Sequence, residues 1–376
     1  MSEMLSINEI AKGGLFTDGD WIELPHISDR GIRLIQTGNI GVGKFINKNK
    51  NYIYEDSFTK LNCKEVLPGD ILICRLAEPP GRACIAPNLG EKMITSVDVA
   101  ILRLSNNAIS KEFLTYYLNL PEQLNAVDIL SAGSTRKRIS RKNLGAMKLL
   151  IPDFSIQIKI SQILKSLDEK IEATEGLIEK KKSIKRGLVQ DLISTKKYDK
   201  SLEDVVDILD NLRIPVNDEE RQRRGGDVPY YGANGLQGFI DKPLFNEPLI
   251  LIAEDGGNFE QFSERPIAYR ISGPSWVNNH AHILRAKNYN QDYLFYVLEH
   301  MNILSLISGG TRAKLNQGEL KKIKVPSIGI NEQKPVADLI NLIVDEINSI
   351  LILKDKLITQ KQGLMQDLIS GRVSVN

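Results

Sequence analysis

Gly187 to Ser194 reads GLVQDLIS, and 176 residues later Gly363 to Ser370 reads GLMQDLIS. An octapeptide that returns with a single substitution marks an internal repeat, which fixes architecture before any local element is assigned. The same displacement carries Thr135-Arg136 onto Thr311-Arg312, Leu144 onto Leu320 and Gln157 onto Gln333, with a compensated two-residue shift around Pro152 and Pro326. Fainter echoes precede these. KEFLTYYL at Lys111 to Leu118 answers QDYLFYVL at Gln291 to Leu298, and VAILR at Val99 to Arg103 answers AHILR at Ala281 to Arg285. The chain therefore reads as two copies of one unit, roughly residues 1–195 and 196–376.

In each copy the first three quarters hold short β-rich runs broken by Gly, Pro and Asn, and the last quarter turns to helical periodicity. Expected strands are Ile32 to Thr37, Asp70 to Arg75 and Val97 to Leu104, then Leu249 to Ala253 and Ala281 to Ala286. A short helix follows the last strand in both copies, at Lys111 to Leu118 and Gln291 to Leu298. The C-terminal segments carry heptads: Ile160, Leu164, Leu167, Ile171, Thr174, Ile178, Lys181, Lys185, Leu188 and Leu192, matched by Val336, Ile340, Ile343, Ile347, Ile350, Lys354, Leu357, Lys361, Leu364 and Leu368. So narrow an apolar seam needs a partner helix, and the other copy supplies one of equal length. At about 1.5 Å per residue, some 33 residues span roughly 50 Å. An antiparallel pair lets the second domain fill the gap between the helices, whereas a parallel pair would make the chain retrace the first helix. The fold class expected is α+β: two tandem β-rich domains (1–150 and 196–326), each followed by a long helix (151–195 and 327–376). The two helices pair as an antiparallel coiled coil with pseudo-twofold symmetry.

Composition narrows the function. Of the 376 residues 42% are hydrophobic and 26% charged, which suits a globular chain and excludes a disordered one. Three cysteines without a CxxC pair argue against a disulfide framework and a thiolate zinc site. With no leader-like start and no long uncharged apolar run, a cytoplasmic protein without membrane attachment is expected. The net charge of +2 excludes a polycation that coats nucleic acid indiscriminately. Basic residues cluster instead at Arg136 to Lys142, Lys180 to Arg186 and Lys321 to Lys324.

Catalytic motifs fail on inspection. GNIGVGKF, Gly38 to Phe45, lacks the terminal hydroxyl of a phosphate-binding loop and the helix that must follow it, so a hairpin turn is expected. Pro152-Asp153 with Asp168-Glu169-Lys170 imitates a magnesium nuclease, but the second half lies in the heptad helix, where i to i+4 charge pairing explains it. His280 and His282 have the spacing of metal ligands on a strand face, without a third ligand nearby in sequence; satisfied strand-end histidines are the expected reading. No FxGxG or NPPY-like segment of an amino-methyltransferase occurs.

The segment between the short helix and the long helix is different. Ser134, Thr135, Arg136, Lys137 and Arg138, echoed by Thr311, Arg312 and Lys314, combine hydroxyls suited to phosphate with cations suited to phosphate or the guanine edge. Tyr230, Tyr231, Asn234 and Gln237, together with His280, offer aromatic and amide groups that can read base edges, and Thr37, Asn39 and Lys44 stand opposite them in the first copy.

Taken in order, PYYGANGLQGFID (Pro229 to Asp241), SAGSTRKRIS (Ser131 to Ser140), SGGTRAKL (Ser308 to Leu315), IPDFSIQ (Ile151 to Gln157), VPSIGINEQ (Val325 to Gln333) and GLMQDLISGRV (Gly363 to Val373) resemble the specificity subunit of type I restriction-modification enzymes over nearly the whole chain. The first copy departs from the second in two places: Ile156 stands where Glu332 does, and RLIQTGNI (Arg33 to Ile40) lies opposite PYYG. The resemblance implies that each β-rich domain is a target recognition domain reading one half of a bipartite asymmetric duplex DNA site. It also implies that the helices set the spacer and dock modification and restriction subunits. Catalysis then belongs to those partners, which hold S-adenosylmethionine, ATP and Mg2+, and this chain is no enzyme and binds no cofactor or metal. The competing readings are a coiled-coil structural adaptor whose β-rich domains bind protein or peptide, and a self-sufficient nuclease.

Overall fold

The computed structural model describes residues 2–375 apart from 77, 106, 107, 134 and 310–312. The chain forms two compact units, Met1–Thr174 with Leu353–Asn376, and Glu175–Ile352. Each holds one β-rich domain with the start of one long helix and the end of the other.

In the first unit an antiparallel sheet runs in the order Leu15–Asp18, Val99–Arg103, Ile71–Cys74, Ala83–Ile85. The second unit repeats it as Val206–Ile208, Ala281–Ala286, Leu249–Ala253, Ala268–Ile271. The central strands Ile71–Cys74 and Leu249–Ala253 are buried on both faces, which is why they are unbroken apolar runs rather than alternating ones. Alternate side chains enter two different cores. Ile71 and Ile73 meet the short and long helices, while Leu72 and Cys74 meet the second sheet. In the second unit Ile250 and Ile252 face the helices, and Leu249 and Leu251 face the sheet.

That second sheet has one parallel pair in each unit, Ile32–Ile35 with Met93–Thr95 and Val228–Gly232 with Pro274–Val277. Their registers, Ile35 opposite Thr95 and Tyr231 opposite Val277, set RLIQTGNI against PYYGANGL residue for residue. A two-stranded ribbon closes each domain where its long helix begins, Glu3–Ser6 with Lys148–Ile151 and Tyr198–Ser201 with Lys324–Pro326.

The short helices Lys111–Leu118 and Gln291–Leu298 are capped by Ser110 and Asn290, whose side chains accept from the amides of Phe113 and Tyr293. Here the duplicated glutamines find their use. Gln157 and Gln333 are each 1% exposed; Gln157 Oε1 accepts the Ser110 amide at 2.8 Å and Gln333 Oε1 the Asn290 amide at 2.7 Å. Each thus locks the start of a long helix to the cap of a short one.

The long helices are Phe154–Val189, continued by a π-helical turn over Gln190–Ser194, and Ile330–Ile369. Along the heptads Ile160, Leu164, Leu167, Thr174, Ile178, Ile340 and Ile347 are buried. Two lysines of the seam, Lys361 and Lys185, are paired within their own units. In the first, Lys361 Nζ meets Asp168 Oδ1 at 2.5 Å and lies 5.4 Å from the Tyr116 ring; in the second, Lys185 Nζ meets Glu299 at 2.7 Å and lies 5.4 Å from the Tyr296 ring. The octapeptide repeat has the same logic: Ile369 enters the first unit's core and Ile193 the second's.

Candidate nucleic-acid interface

Both Thr-Arg loops hang from the same frame. In the first unit the Ala132 and Arg138 backbones exchange two hydrogen bonds, and the next amide, Ile139, donates to Arg75 O just beyond the central strand. In the second, Ser308 and Lys314 exchange two, and Leu315 donates to Glu254 O. Ile139 and Leu315 are fully buried, so each loop is pinned at its root and projects from the end of the central strand. Ser134, Thr311 and Arg312 lie outside the described residues.

Below each root stands a carboxylate. Asp18 is paired across the sheet with Ala100, and Asp210, two residues past the pairing of Ile208 with Leu284, meets His282. Asp18 is ion-paired to Arg75, with Arg141 Nε at 3.9 Å. Asp210 Oδ2 lies 2.6 Å from His282 Nδ1 and accepts from Gln317, while Asp210 Oδ1 accepts the Ile283 amide. The other ring nitrogen, His282 Nε2, faces Leu315 O at 2.8 Å. The His282 ring thus lies between a carboxylate and a backbone carbonyl. Burial alone would raise the Asp210 carboxyl; the His282 bond and charge, the Ile283 amide and Arg213 outweigh it and hold the group below the usual carboxylate range. Glu254 is likewise lowered: burial opposes this, and Arg213 at 2.7 Å and Lys314 at 3.1 Å prevail.

Asp210, Glu254 and His282 present three ligand atoms within 4.8 Å of one another, so the ligands missing from the sequence neighbourhood of the histidines are supplied by distant acids. Arg213 and Lys314 already sit on these carboxylates, and the geometry is that of a charge network. His280 is outside it, bonded through Nδ1 to Asp255 at 2.8 Å.

Several residues singled out from sequence converge beside this network. Asn278 Nδ2 donates to Gln237 Oε1 at 3.0 Å, and Asn278 Oδ1 accepts the His280 amide at 2.8 Å. Asn234 Nδ2 donates to Gly256 O at 2.8 Å, next to Asp255. Gln237, Asn278, Asn279 and His280 line a polar pocket of about 470 Å³ with Asn217, Arg221 and Tyr230. Tyr230 forms part of its wall rather than a free reader: it is 2% exposed, its hydroxyl donates to Val216 O, and Arg221 covers its ring at 4.8 Å. Tyr231 is half-buried against Tyr269.

In the first unit, GNIGVGKF forms a turn closed by an Ile40 to Phe45 bridge, and a strand, Asn51–Ile53, is the next element. Asn39 is 3% exposed and braces this turn, accepting from Gln36 and donating to Ile46 O and Lys48 O. Thr37 O accepts from Arg82, and Lys44 is exposed. In the Thr-Arg loop Lys137 pairs with Asp128 and Arg138 with Asp98 at 2.9 Å. Thr135 and Arg136 are exposed, and Arg136 has no ion pair among the described residues. Sequence reasoning missed Asn278, Arg213 and the acids, because none carries a local signal. The imitation nuclease site is taken apart: Asp168 is held by Lys361 and the Tyr116 hydroxyl.

Two copies of one frame, each carrying a Thr-Arg pair in the sequence of the loop at its root, match what a scan against protein families returns. The family described as the type I restriction modification DNA specificity domain matches twice, over residues 27–182 and 195–354. The chain belongs to this family. A putative type I restriction enzyme specificity subunit of Haemophilus influenzae is 33% identical over 144 residues, 38% of this chain and 36% of that protein; the chain thus spans about a third of that relative's length. The putative type I restriction enzyme MjaX specificity subunit of Methanocaldococcus jannaschii is 21% identical over 99% of this chain and 93% of its own. Among solved structures, the S subunit of a type I restriction-modification system from M. genitalium superposes with a TM-score of 0.61 at 17% identity, covering 98% of this chain and 96% of that one. A chain from a study of complex assembly and conformational transition in the type I R-M system gives 0.60 at 12% identity, covering 98% and 97%. At these identities the likeness establishes the fold that specificity subunits share. Among the described residues no helix is long and apolar enough to cross a membrane.

Proposed function

We propose that this chain is the DNA-reading subunit of a type I restriction-modification complex and binds a bipartite asymmetric duplex site, one half to each β-rich domain. The observation that carries this is the duplicated loop, pinned at equivalent strand ends and bearing Thr135-Arg136 in one domain and Thr311-Arg312 in the other. The recognition domains are taken as 1–150 and 196–326, and the helices 151–195 and 327–376 as an antiparallel coiled coil that relates the domains by a pseudo-twofold axis and fixes the spacing of the half-sites. Lys181 against Glu346 and Asp168 against Lys361 support that pairing, since partner numbers rise on one helix as they fall on the other. The axis suits the dyad of duplex DNA.

The helix pair also docks the modification and restriction subunits, which bring S-adenosylmethionine, ATP and Mg2+; the chain itself transfers and cleaves nothing. Burial pushes the Cys63 thiol up to about 11 and Cys84 up to about 12, which supports cysteines of structural rather than reactive use; a cytoplasmic location is part of the same proposal. Purified chain incubated with Mg2+, ATP and S-adenosylmethionine should neither cleave nor methylate DNA. It should select a split sequence from a randomised duplex pool with affinity that falls as salt rises. Turnover by the homogeneous chain, or binding without sequence preference, would remove this reading.

A further inference from the structure

Among the described residues Arg33 is the largest fully buried side chain, 0% exposed, and its Nε and Nη1 have no hydrogen-bond partner. Its remaining nitrogen makes two long contacts, 3.4 Å to Asn47 Oδ1 and 3.4 Å to Lys48 O, and its guanidinium carbon lies 5.5 Å from the Tyr52 ring. A buried guanidinium normally has a carboxylate or a full set of acceptors, because removing its charge from water costs several kcal/mol. Arg33 has neither.

The segment above it has the same imbalance. From Ile32 to Tyr54 the sequence contains Arg33, Lys44, Lys48 and Lys50 and no acid. Lys44, Lys48 and Lys50 are exposed and form no ion pair among the described residues. Asn39 and Arg82 fasten the hairpin as far as Ile46. Beyond it, Asn47 to Lys50 is an exposed arm. Its ties are the bonds to Lys48 O from Asn39 at 2.7 Å and Arg33, the Asn47 contact and a Lys48 amide bond to Ile46 O.

We propose that Arg33 is a DNA-contacting residue of the first domain, covered by the Asn47 to Lys50 arm in the free protein. When Lys44, Lys48 and Lys50 engage backbone phosphates, the arm moves aside. The two unpartnered nitrogens then take a pair of acceptors on the duplex, either the O6 and N7 of a guanine or two phosphate oxygens. The proposal rests on the DNA-reading role given above and names a contact that the Thr-Arg loop does not supply.

Full-length wild type and Arg33→Met are compared for selection from a randomised duplex pool and for affinity on the selected duplex at fixed salt. Methionine fills a similar slot without the stranded charge, so the variant should keep or raise Tm while Kd rises roughly ten- to hundredfold. Loss of preference at one base pair of the first half-site identifies a guanine edge; uniform weakening identifies phosphate. A folded variant with wild-type affinity and preferences overturns the proposal. If Arg33→Met does not fold, amide exchange of Asn47 to Lys50 in the wild type decides: a changed rate on adding the selected duplex supports the moving arm, and an unchanged rate overturns it. Wild type that enriches no sequence would remove the DNA-reading role itself, and this contact with it.

Discussion

Asp18 and Asp210 stand at the same point of the two domains, at the foot of the Thr-Arg loop, yet they are neutralised from different places. In the first domain the cation is Arg75, just past the central strand, with Arg141 3.9 Å away. In the second, the place of Arg75 is held by an acid, Glu254, and Asp210 is faced instead by Arg213, at 3.7 Å, and by His282 in the neighbouring strand, where the first domain has Ala100. The glutamines that tie helix to domain behave differently: Gln157 and Gln333 accept from equivalent cap residues. Attachment to the helices has been kept while the charges around the loops have been redistributed. Two domains that share a backbone can therefore present unlike surfaces, which the proposed reading of two unlike half-sites requires.

The largest expected effect sets the two carboxylates apart. Asp210→Ala strands His282 and should cost the second unit about 3 to 5 kcal/mol, the range for breaking a buried pair. Asp18 is one-third exposed but its partner Arg75 is 5% exposed, so Asp18→Ala should cost less, about 1 to 3 kcal/mol, the range for a buried donor left unsatisfied. Hydrogen exchange resolved by domain would measure both; equal losses would erase the distinction. The same network has a pH signature. The folded-state carboxyls of Asp210 and Glu254 are depressed, so their stabilisation is full above the ordinary carboxylate range and is lost as pH falls through their lowered values. Acid titration should loosen the second unit, and Asp210→Asn should flatten that response.

Next in size are the attachments. Gln157→Ala and Gln333→Ala each leave a buried amide unpaired, and each should cost about 1 to 3 kcal/mol. Because the contacts are duplicated, the two losses in thermal or chemical unfolding should be alike; a large inequality would break the symmetry of attachment.

Smaller effects come from the cations of the Thr-Arg loops. Arg136→Ala and Arg312→Ala should each weaken binding to the selected duplex by about 1 to 3 kcal/mol. Lys137 and Arg138 are already engaged by Asp128 and Asp98, so Lys137→Ala and Arg138→Ala should each weaken it by less than about 1 kcal/mol, on the scale of exposed pairs. Anisotropy titrations at one salt concentration would rank all four.

Much of the frame was legible in the sequence because its signals are local or repeated. Leu249–Ala253, Ala281–Ala286 and both short helices occur where apolar runs and periodicity put them. The repeat gave the common plan, and Gln157 with Gln333 proved to be one of its working parts. What escaped was non-local. His282 is 72 residues from Asp210, and the spacing of His280 and His282 pointed only to each other. Asn39 was singled out as a candidate DNA contact, and nothing local in the sequence told that its side chain holds the turn together from inside. Arg33 escaped for the opposite reason: an arginine in a strand reads as a surface residue, and only burial without partners distinguishes it.

The division of reading between the domains is tested most directly by replacing residues 196–326 with the second domain of another member of the family. Sites for parent and chimera would be selected from one randomised duplex pool. The account predicts that half of the selected site changes while the other half and the spacing persist. A chimera that changes both halves together, or a parent that selects one continuous block, would contradict it.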